Sequence, residues 1–149
     1  MAHTGTNPLR KDEFLAFRTR VNYSQTEAAA AFDVHSNTWA RWERGQLTFP
    51  HPAMFRFAVE QYEEDFAARR VTRLSAPLRL AVAPAVFTEV REGLSLTFVE
   101  FGALLDAVAS TVRAWELGAA EFPHPAIFRL AARCLYGKRG LVAPASLAA

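Results

Sequence analysis

The chain has 149 residues, of which 51% are hydrophobic, twelve are phenylalanine and 21% are charged, and this composition excludes an intrinsically disordered chain. The seventeen basic and fifteen acidic residues leave a net charge of +2, which excludes a polybasic tail that binds nucleic acid indiscriminately. Any nucleic-acid contact must therefore come from a locally arranged surface.

Membrane segments, secretory signals and metal sites are not predicted either. No apolar run reaches the roughly 18 residues of a membrane span, and the polar segment 1–13 lacks the apolar stretch of a secretory signal. The single cysteine, Cys134, can form neither an intrachain disulfide nor a cysteine-rich metal site, and we expect it in the core. We predict a cytoplasmic protein with no cofactor, no metal and no membrane partner.

The first two predicted helices are marked by capping residues. Asn7 followed by Pro8 predicts the start of helix one, because proline fits the first helical position. Ser24 and Glu27 form a capping box, in which each side chain accepts a hydrogen bond from the backbone N–H of the other residue. This box predicts the start of helix two.

Helices three and four follow at short intervals. Helix three is predicted to start near Ser36 and to carry Trp39 and Trp42 on one buried face. Gly45 is the expected left-handed residue after this helix. Helix four is predicted to begin after segment 49–52. Its expected inner residues are Phe55, Ala58, Val59 and Tyr62.

The chain then repeats itself at a constant offset of 73 residues. Segment 42–56, WERGQLTFPHPAMFR, returns without a gap as WELGAAEFPHPAIFR at 115–129. The same offset gives further identical pairs: Phe14 with Phe87, Arg18 with Arg91, Glu27 with Glu100, Asp33 with Asp106, and Thr38 with Thr111. Two copies at this offset indicate tandem duplication of a small domain, since a solenoid needs shorter and more numerous units.

The repeat predicts two domains, at 1–66 and 83–149, with a linker at 67–82 that extends from the last helix of the first copy. In the second copy, Thr97 and Glu100 repeat the capping box and Gly118 repeats the helix end. Neither copy has the sustained two-residue alternation of a strand. We therefore predict an all-α protein, with Trp115 in its core.

Residues 24–45 resemble the helix-turn-helix of the Cro and phage-repressor class, also called the xenobiotic-response-element (XRE) family. That family's pattern is Ser-Gln, two residues, a small pair, a short turn and a second helix ending in Trp-Glu-x-Gly; here it stands as SQTEAAAAFDVHSNTWARWERG. Asp33 occupies the turn position where the family usually carries glycine, although aspartate tolerates a left-handed backbone better than most residues. The resemblance implies two tandem lambda-repressor-like bundles of four to five helices each, the second one diverged.

The predicted recognition helix is 36–44. A major groove about 12 Å wide accepts one helix, and only outward side chains near the N-terminus of that helix reach base edges. The candidates for reading bases are Ser36, Asn37, Ala40 and Arg41. Because asparagine can pair with adenine and arginine with guanine, Asn37 and Arg41 are expected to discriminate between bases.

Other residues are candidates for contacts with the DNA backbone. By the resemblance, Gln25 would hold a phosphate and brace the recognition helix, beside the free N–H groups of its own helix. Arg44 and either Arg10 or Lys11 could add charge contacts, and Thr38 is a weaker candidate.

Each assignment has a structural alternative. An exposed Arg41 can simply be solvated, Asn37 can be a polar first-turn residue, and Gln25 can be a helix former beside a capping serine. His51 and His124 lie in the repeated Phe-Pro-His-Pro segments. We expect them to cap the last helix of each copy or to pack, not to bind metal.

The second copy differs from the first on this outward face. The residues at the positions of Gln25, Ser36, Asn37, Arg41 and Arg44 are Phe98, Ala109, Ser110, Ala114 and Leu117. Only Ser110, Thr111 and Arg113 remain as possible DNA contacts, so we expect weak or no sequence reading by this copy. Phe98 and Leu117 either form a protein interface or pack into the core.

These patterns favour a sequence-specific transcriptional regulator at the nucleoid, most simply a repressor that binds double-stranded DNA as a homodimer on an inverted-repeat operator. The second copy would then be the dimer module. In a variant, both copies touch DNA and one chain acts as a covalent pseudo-dimer on an asymmetric site. The alternative is an antitoxin or adaptor that binds a partner protein through the second copy and DNA only for autoregulation.

Two further classes of function are not expected. The sequence has no metal cluster, no Gly-rich phosphate loop and no Ser–His–Asp spacing above chance, so we do not predict an enzyme. The two helical units and their linker use nearly every residue, so we do not expect regulation by a small molecule.

Overall fold

The computed structural model describes residues 7–147; residues 1–6 and 148–149, at the outer ends of the two predicted domains, lie outside the described residues. Over 7–147 the chain forms α-helices, a short 3-10 helix and no strand, which confirms the predicted all-α class. The helices are α1 Lys11–Val21, α2 Gln25–Ala31, α3 Ser36–Glu43, α4 Pro52–Ala67, α5 Pro84–Gly93, α6 Phe98–Leu105, α7 Ala109–Leu117 and α8 Pro125–Lys138, followed by the 3-10 helix Ala145–Leu147.

The duplication in the sequence is also a duplication of helix starts. Helix α1 begins at residue 11 and α5 at residue 84, and each of α2, α3 and α4 likewise has a counterpart that begins 73 residues later. The first repeat is therefore α1–α4 and the second is α5–α8.

The predicted helix boundaries at capping boxes and glycines are confirmed. The Oγ atom of Ser24 accepts from the N–H of Glu27 at 3.1 Å, and the Glu27 carboxylate accepts from the N–H of Ser24 at 2.9 Å. Thr97 and Glu100 make the same pair of bonds in the second repeat. Gly45 and Gly118 have φ angles of 74° and 75°, the left-handed conformation that glycine adopts without strain.

The predicted start of helix one at Asn7 and Pro8 is wrong. Helix α1 begins at Lys11, because the N–H of Arg10 donates to the carboxylate of Glu13 at 2.9 Å and fixes the first turn there. Pro8 precedes the helix as an exposed residue.

The segment that joins the repeats does not extend α4. Helix α4 ends at Ala67, and Arg69 has a left-handed φ of 62°, which turns the chain away from the helix axis. The segment then runs back along the first repeat, where Arg73 lies 3.6 Å from the carboxylate of Glu27. Arg79 similarly lies 3.2 Å from Asp33. The joining segment therefore lies against the first repeat and is held there by these two ion pairs.

The core is a continuous cluster of buried side chains drawn from both repeats. Trp39, Trp42 and Trp115 are all buried, as predicted, and so is Cys134. On α4, Phe55, Ala58 and Tyr62 are buried while Val59 is half-buried. Helices α4 and α8 pack against each other along their length, so the repeats share one interior.

The two Phe-Pro-His-Pro segments pack against one another reciprocally. The ring of Phe49 lies 5.5 Å from that of His124, and the ring of Phe122 lies 6.0 Å from that of His51. Neither histidine side chain caps its helix, and both rings pack instead. Nδ1 of His51 also forms a hydrogen bond with the carbonyl oxygen of Asp106 at 2.9 Å. The N-terminus of α4 is instead held from the other repeat, because the N–H of Ala53 donates to the Asp106 carboxylate at 2.7 Å.

A buried carboxylate joins α4 to α8. Asp65 is 2% exposed and accepts hydrogen bonds from Arg133 at 2.9 and 3.1 Å. Arg70 and Gln61 donate to the same carboxylate at about 3.0 Å. Burial raises the pKa of Asp65, but the hydrogen bonds from these donors outweigh it and hold that pKa below its ordinary value.

Among residues 7–147, no helix has both the length and the apolar character that a membrane span requires.

Candidate nucleic-acid interface

Helices α2 and α3 are joined by a tight turn with a left-handed residue. Asp33 has a φ of 53°, at the position where the resemblance predicts this conformation. The N–H of Val34 donates back to the carbonyl of Ala29 at 2.9 Å and closes the turn. Nδ1 of His35 then accepts from the N–H of Asn37 at 3.1 Å and caps the start of α3.

A buried carboxylate at the end of α3 ties three helices together. Glu43 accepts from Arg18 of α1 at 2.7 and 3.0 Å, and from the amide of Gln25 of α2 at 3.1 Å. The indole N–H of Trp39 donates to the same carboxylate at 2.6 Å. We call these four residues the Glu43 cluster. It fixes the orientation of α3 relative to α1 and α2.

The Glu43 cluster keeps its carboxylate ionised. The side chain of Glu43 is only 9% exposed, and this burial raises its pKa. Hydrogen bonds from Arg18, Gln25 and Trp39 outweigh burial, so the pKa of Glu43 lies below its ordinary value. Arg18 therefore compensates the negative charge of Glu43 inside the cluster.

The base-reading candidates differ in how far they reach into solvent. Asn37 and Arg41 are exposed, whereas Ser36 and Ala40 are half-buried. Thr38 is also half-buried. The exposed edge of α3 is therefore formed by the asparagine and the arginine for which base contacts are predicted.

Two of the predicted backbone contacts come together at the end of α3. Arg44 is exposed, and its Nε donates to Gln46 at 3.2 Å. A Cβ atom placed on Gly45 would lie 3.4 Å from Cδ of Lys11, so the lysine side chain runs beside this helix end. Among residues 7–147, Lys11, Arg41 and Arg44 form no ion pair, so a phosphate would meet uncommitted charges.

Two other candidates are already engaged within the chain. Arg10 lies 3.1 Å from the carboxylate of Asp12, although both side chains are largely exposed. The amide of Gln25 donates to Glu43 and holds α2 against α3. Gln25 as a whole is half-buried.

The second repeat keeps the internal carboxylate and changes the outer face. Glu116 accepts from Arg91 at 2.6 and 3.1 Å and from the hydroxyl of Thr88 at 2.8 Å. Phe98 stands where the first repeat has Gln25, and Arg91 covers its ring at 4.2 Å. Phe98 is thus half-buried beneath an arginine.

Apolar side chains project from the second repeat where the first presents polar ones. Leu117 is 69% exposed, and Val99 and Val108 are 68% and 66% exposed. Of the predicted contacts on this copy, Ser110 and Arg113 are exposed and Thr111 is half-buried. Leu117 therefore does not pack into the core, and of the two roles expected for it a protein interface remains.

Sequence reasoning missed Glu43 and the capping role of His35. A signal for the first was present, since Arg18 and Glu43 recur as Arg91 and Glu116 in a repeat whose other outward positions changed. Charged residues that persist in both copies indicate an internal contact. His35 has no such signal, because Val108 stands at its position in the second repeat.

The described part of the chain holds no group of His, Cys, Asp and Glu side chains that could bind a metal ion. Comparisons with protein-family models, with curated proteins and with solved structures found no match to this chain.

Proposed function

We propose that the chain is a sequence-specific DNA-binding transcriptional regulator that inserts the helix at 36–44 into the major groove. The observation that carries the proposal is that α3 is held firmly by internal hydrogen bonds while its exposed polar side chains stay available for a partner. The Glu43 cluster grips α3 from its inner side, while Asn37 and Arg41 extend into solvent. Sequence-specific contacts with bases need this combination, because a mobile helix could not keep the geometry of bidentate hydrogen bonds.

The charge distribution around α3 supports backbone binding next to base reading. Arg44 and Lys11 lie at one end of the helix, and neither has to break an ion pair to reach a phosphate. Contacts of this kind release counterions, so affinity falls steeply with salt. They set the position of the helix on the duplex, and Asn37 and Arg41 supply the discrimination.

The second repeat lacks most of the exposed polar side chains that could contact bases, which favours one DNA-reading helix per chain. An inverted-repeat operator then requires two chains, and a repressor that blocks promoter access by occupying it is the simplest regulator of this design. We assign homodimer formation to the outward apolar side chains of the second repeat, Val99, Val108 and Leu117.

The proposal is tested by selecting binding sites from a random DNA pool with the full chain at physiological salt. The number of chains on the selected site is then measured by sedimentation. An inverted repeat bound by two chains supports the proposal. A single asymmetric site bound by one chain contradicts the homodimer and indicates that both repeats read DNA. Absence of any enriched sequence contradicts specific recognition.

A second candidate function is an antitoxin or adaptor that grips a partner protein through the second repeat. The exposed Leu117 favours it, because an outward leucine on a DNA-facing surface has no favourable contact with phosphate. A Leu117→Asp variant separates the two functions, with Leu74→Asp as the matched control, since Leu74 is 87% exposed on the joining segment. Loss of the dimer on DNA in Leu117→Asp alone supports the homodimer, and an unchanged DNA complex favours the adaptor.

A further inference from the structure

His35 is the residue immediately before α3, the helix that the proposed function inserts into the major groove. Its Nδ1 atom accepts a hydrogen bond from the N–H of Asn37 at 3.1 Å. A ring nitrogen that accepts from a backbone N–H carries no proton, so the imidazole is neutral and its proton lies on Nε2. The cap therefore fixes the tautomer of His35 and makes its Nε2–H group a hydrogen-bond donor.

This donor is not used within the described part of the chain. His35 is exposed, and among residues 7–147 its ring forms only the hydrogen bond with Asn37. The nearest acidic residue along the chain, Asp33, is paired with Arg79 at 3.2 Å. The first turn of α3 contains no acidic residue. An acceptor from another molecule would therefore find the Nε2–H group accessible and would meet no carboxylate in that turn.

The second repeat shows that a helix can start at this position without a side-chain cap. Val108 occupies the position of His35, and its side chain cannot accept a hydrogen bond. Helix α7 nevertheless begins at Ala109, the counterpart of Ser36. The need to start the helix therefore does not explain why the first repeat carries a histidine here.

The type of residue also indicates a role beyond capping. Serine, threonine, aspartate and asparagine are the side chains most often found at the residue that caps a helix start. Ser24 and Thr97 have this role in the two capping boxes of the chain. Histidine caps α3 through one ring nitrogen and carries a donor on the far side of the ring, which these shorter side chains lack.

We propose that His35 is a DNA-contacting residue, whose Nε2–H group donates a hydrogen bond to an acceptor on the duplex. The inference rests on the proposed function, because it requires the start of α3 to face DNA. His35 directly precedes the exposed edge that Asn37 and Arg41 form. The acceptor is either a phosphate oxygen or the N7 or O6 atom of a guanine, since a neutral imidazole can donate to each of them.

Two variants separate the contact with DNA from the cap. His35→Ser keeps an oxygen that can cap the helix but has no ring to extend beyond it, whereas His35→Ala removes both the cap and the donor. In the absence of DNA, we expect His35→Ser to have the Tm of the parent and His35→Ala to unfold about 3 °C lower. Circular dichroism during heating measures both values.

Binding is then measured by titration of two labelled duplexes, the selected site and a random sequence. We expect both variants to bind the selected site about tenfold more weakly than the parent, because each has lost one hydrogen bond to DNA. An equal loss on the random duplex assigns the acceptor to a phosphate, and a loss confined to the selected site assigns it to a base. If His35→Ser binds both duplexes as tightly as the parent, His35 only caps the helix and the inference is wrong.

The salt dependence of binding provides a second measurement. A neutral donor releases no counterion, so His35→Ser should keep the parent's slope of log affinity against log salt concentration, whereas Arg44→Ala should flatten it. An equally flat slope in His35→Ser would contradict a neutral ring at the interface.

The same titrations distinguish failure of this inference from failure of the proposed function. A parent chain that binds random DNA but enriches no sequence would refute sequence-specific regulation, and the comparison on the random duplex would then decide the role of His35. A parent chain that binds no DNA at all would refute both.

Discussion

The first and second repeats hold their helices together in the same way. Each uses a glutamate with a largely buried side chain at the end of its third helix. Glu43 accepts hydrogen bonds from Arg18 of the first helix in the one, and Glu116 accepts them from Arg91 in the other. The side chains that pack the interior also keep their helical positions across the offset.

The outward faces of the two repeats have diverged. Arg44 in the first repeat corresponds to an exposed Leu117 in the second, and Gln25 corresponds to a Phe98 covered by an arginine. The difference teaches that the internal contacts are constrained by folding, whereas the outer positions are free to change; under the proposed function, they would carry each repeat's separate role. Four predictions test this division.

The largest effect is expected from Glu43→Ala. It leaves the guanidinium of Arg18, the amide of Gln25 and the indole N–H of Trp39 without their acceptor, and should lower the free energy of unfolding by about 3 kcal/mol. Urea denaturation measures the change. Glu121→Ala, at an exposed position, is the control and should stay within about 0.5 kcal/mol of the parent. Similar values for the two variants would refute a structural role of the Glu43 cluster.

A second large effect is expected from Gly102→Ala in α6. An added Cβ would overlap the carbonyl oxygen of Ala107 in the following turn, so the backbone must shift, at a cost of about 2 kcal/mol. The first repeat carries Ala29 at the same position, so the two turns are built differently. Gly137→Ala is the control, because nothing lies within 4 Å of its added methyl group. That variant should gain stability, and a loss as large as that of Gly102→Ala would contradict the argument.

Arg41→Ala tests the reading edge of the first repeat. It should cost about 1–3 kcal/mol on the selected site and relax the preference at one base position, since Arg41 is expected to contact a base. Arg44→Ala should weaken binding to all sequences and flatten the salt dependence. Titration of labelled duplexes measures both. Arg113→Ala in the second repeat should change little, and equal losses of Arg41→Ala on specific and random DNA would reject its role as a base reader.

The smallest effect concerns pH and the contact between the repeats. Burial lowers the pKa of His124, nearby Asp33 opposes this change and His51 adds to it. The folded state therefore binds a proton less readily than the unfolded state, whose pKa is near 6.5. The contribution of neutral His124 to the free energy of unfolding is therefore fully present above pH 6.5 and is lost as the pH falls below that value.

We expect His124→Gln to remove part of the loss of stability between about pH 7.5 and 5.5. Urea denaturation of both proteins across this range is the measurement. A parent and a variant with parallel pH profiles would show that His124 does not contribute.

The sequence allowed prediction of features that depend on neighbouring residues. The capping box of Ser24 and Glu27 and the helix end at Gly45 are local, so their geometry follows from residues close by in the chain. The start of α1 was mispredicted because two local signals compete there. The carboxylate of Glu13 binds the N–H of Arg10, and this interaction prevails over the proline signal at Pro8.

Features that depend on the packing of the repeats could not be predicted. Asp65 meets Arg133 across the contact between α4 and α8, and no pattern along either helix indicates that pairing. Arg129 is another case, since an arginine in a helix is normally solvated and only the folded chain reveals its burial. The candidate DNA-contacting residues of α3 were predictable only in part. The resemblance indicated which residues they are, but their support by Glu43 became visible only in the structure.

The reciprocal contact of Phe49 with His124 and of Phe122 with His51 has the form of an interface in a twofold-symmetric dimer. In such a dimer every substitution appears on both sides at once, and dilution separates the subunits. Here both halves belong to one chain, so dilution cannot part them and a substitution alters one side alone. After a tandem duplication of this kind, each half can therefore acquire its own substitutions while the contact between the halves persists.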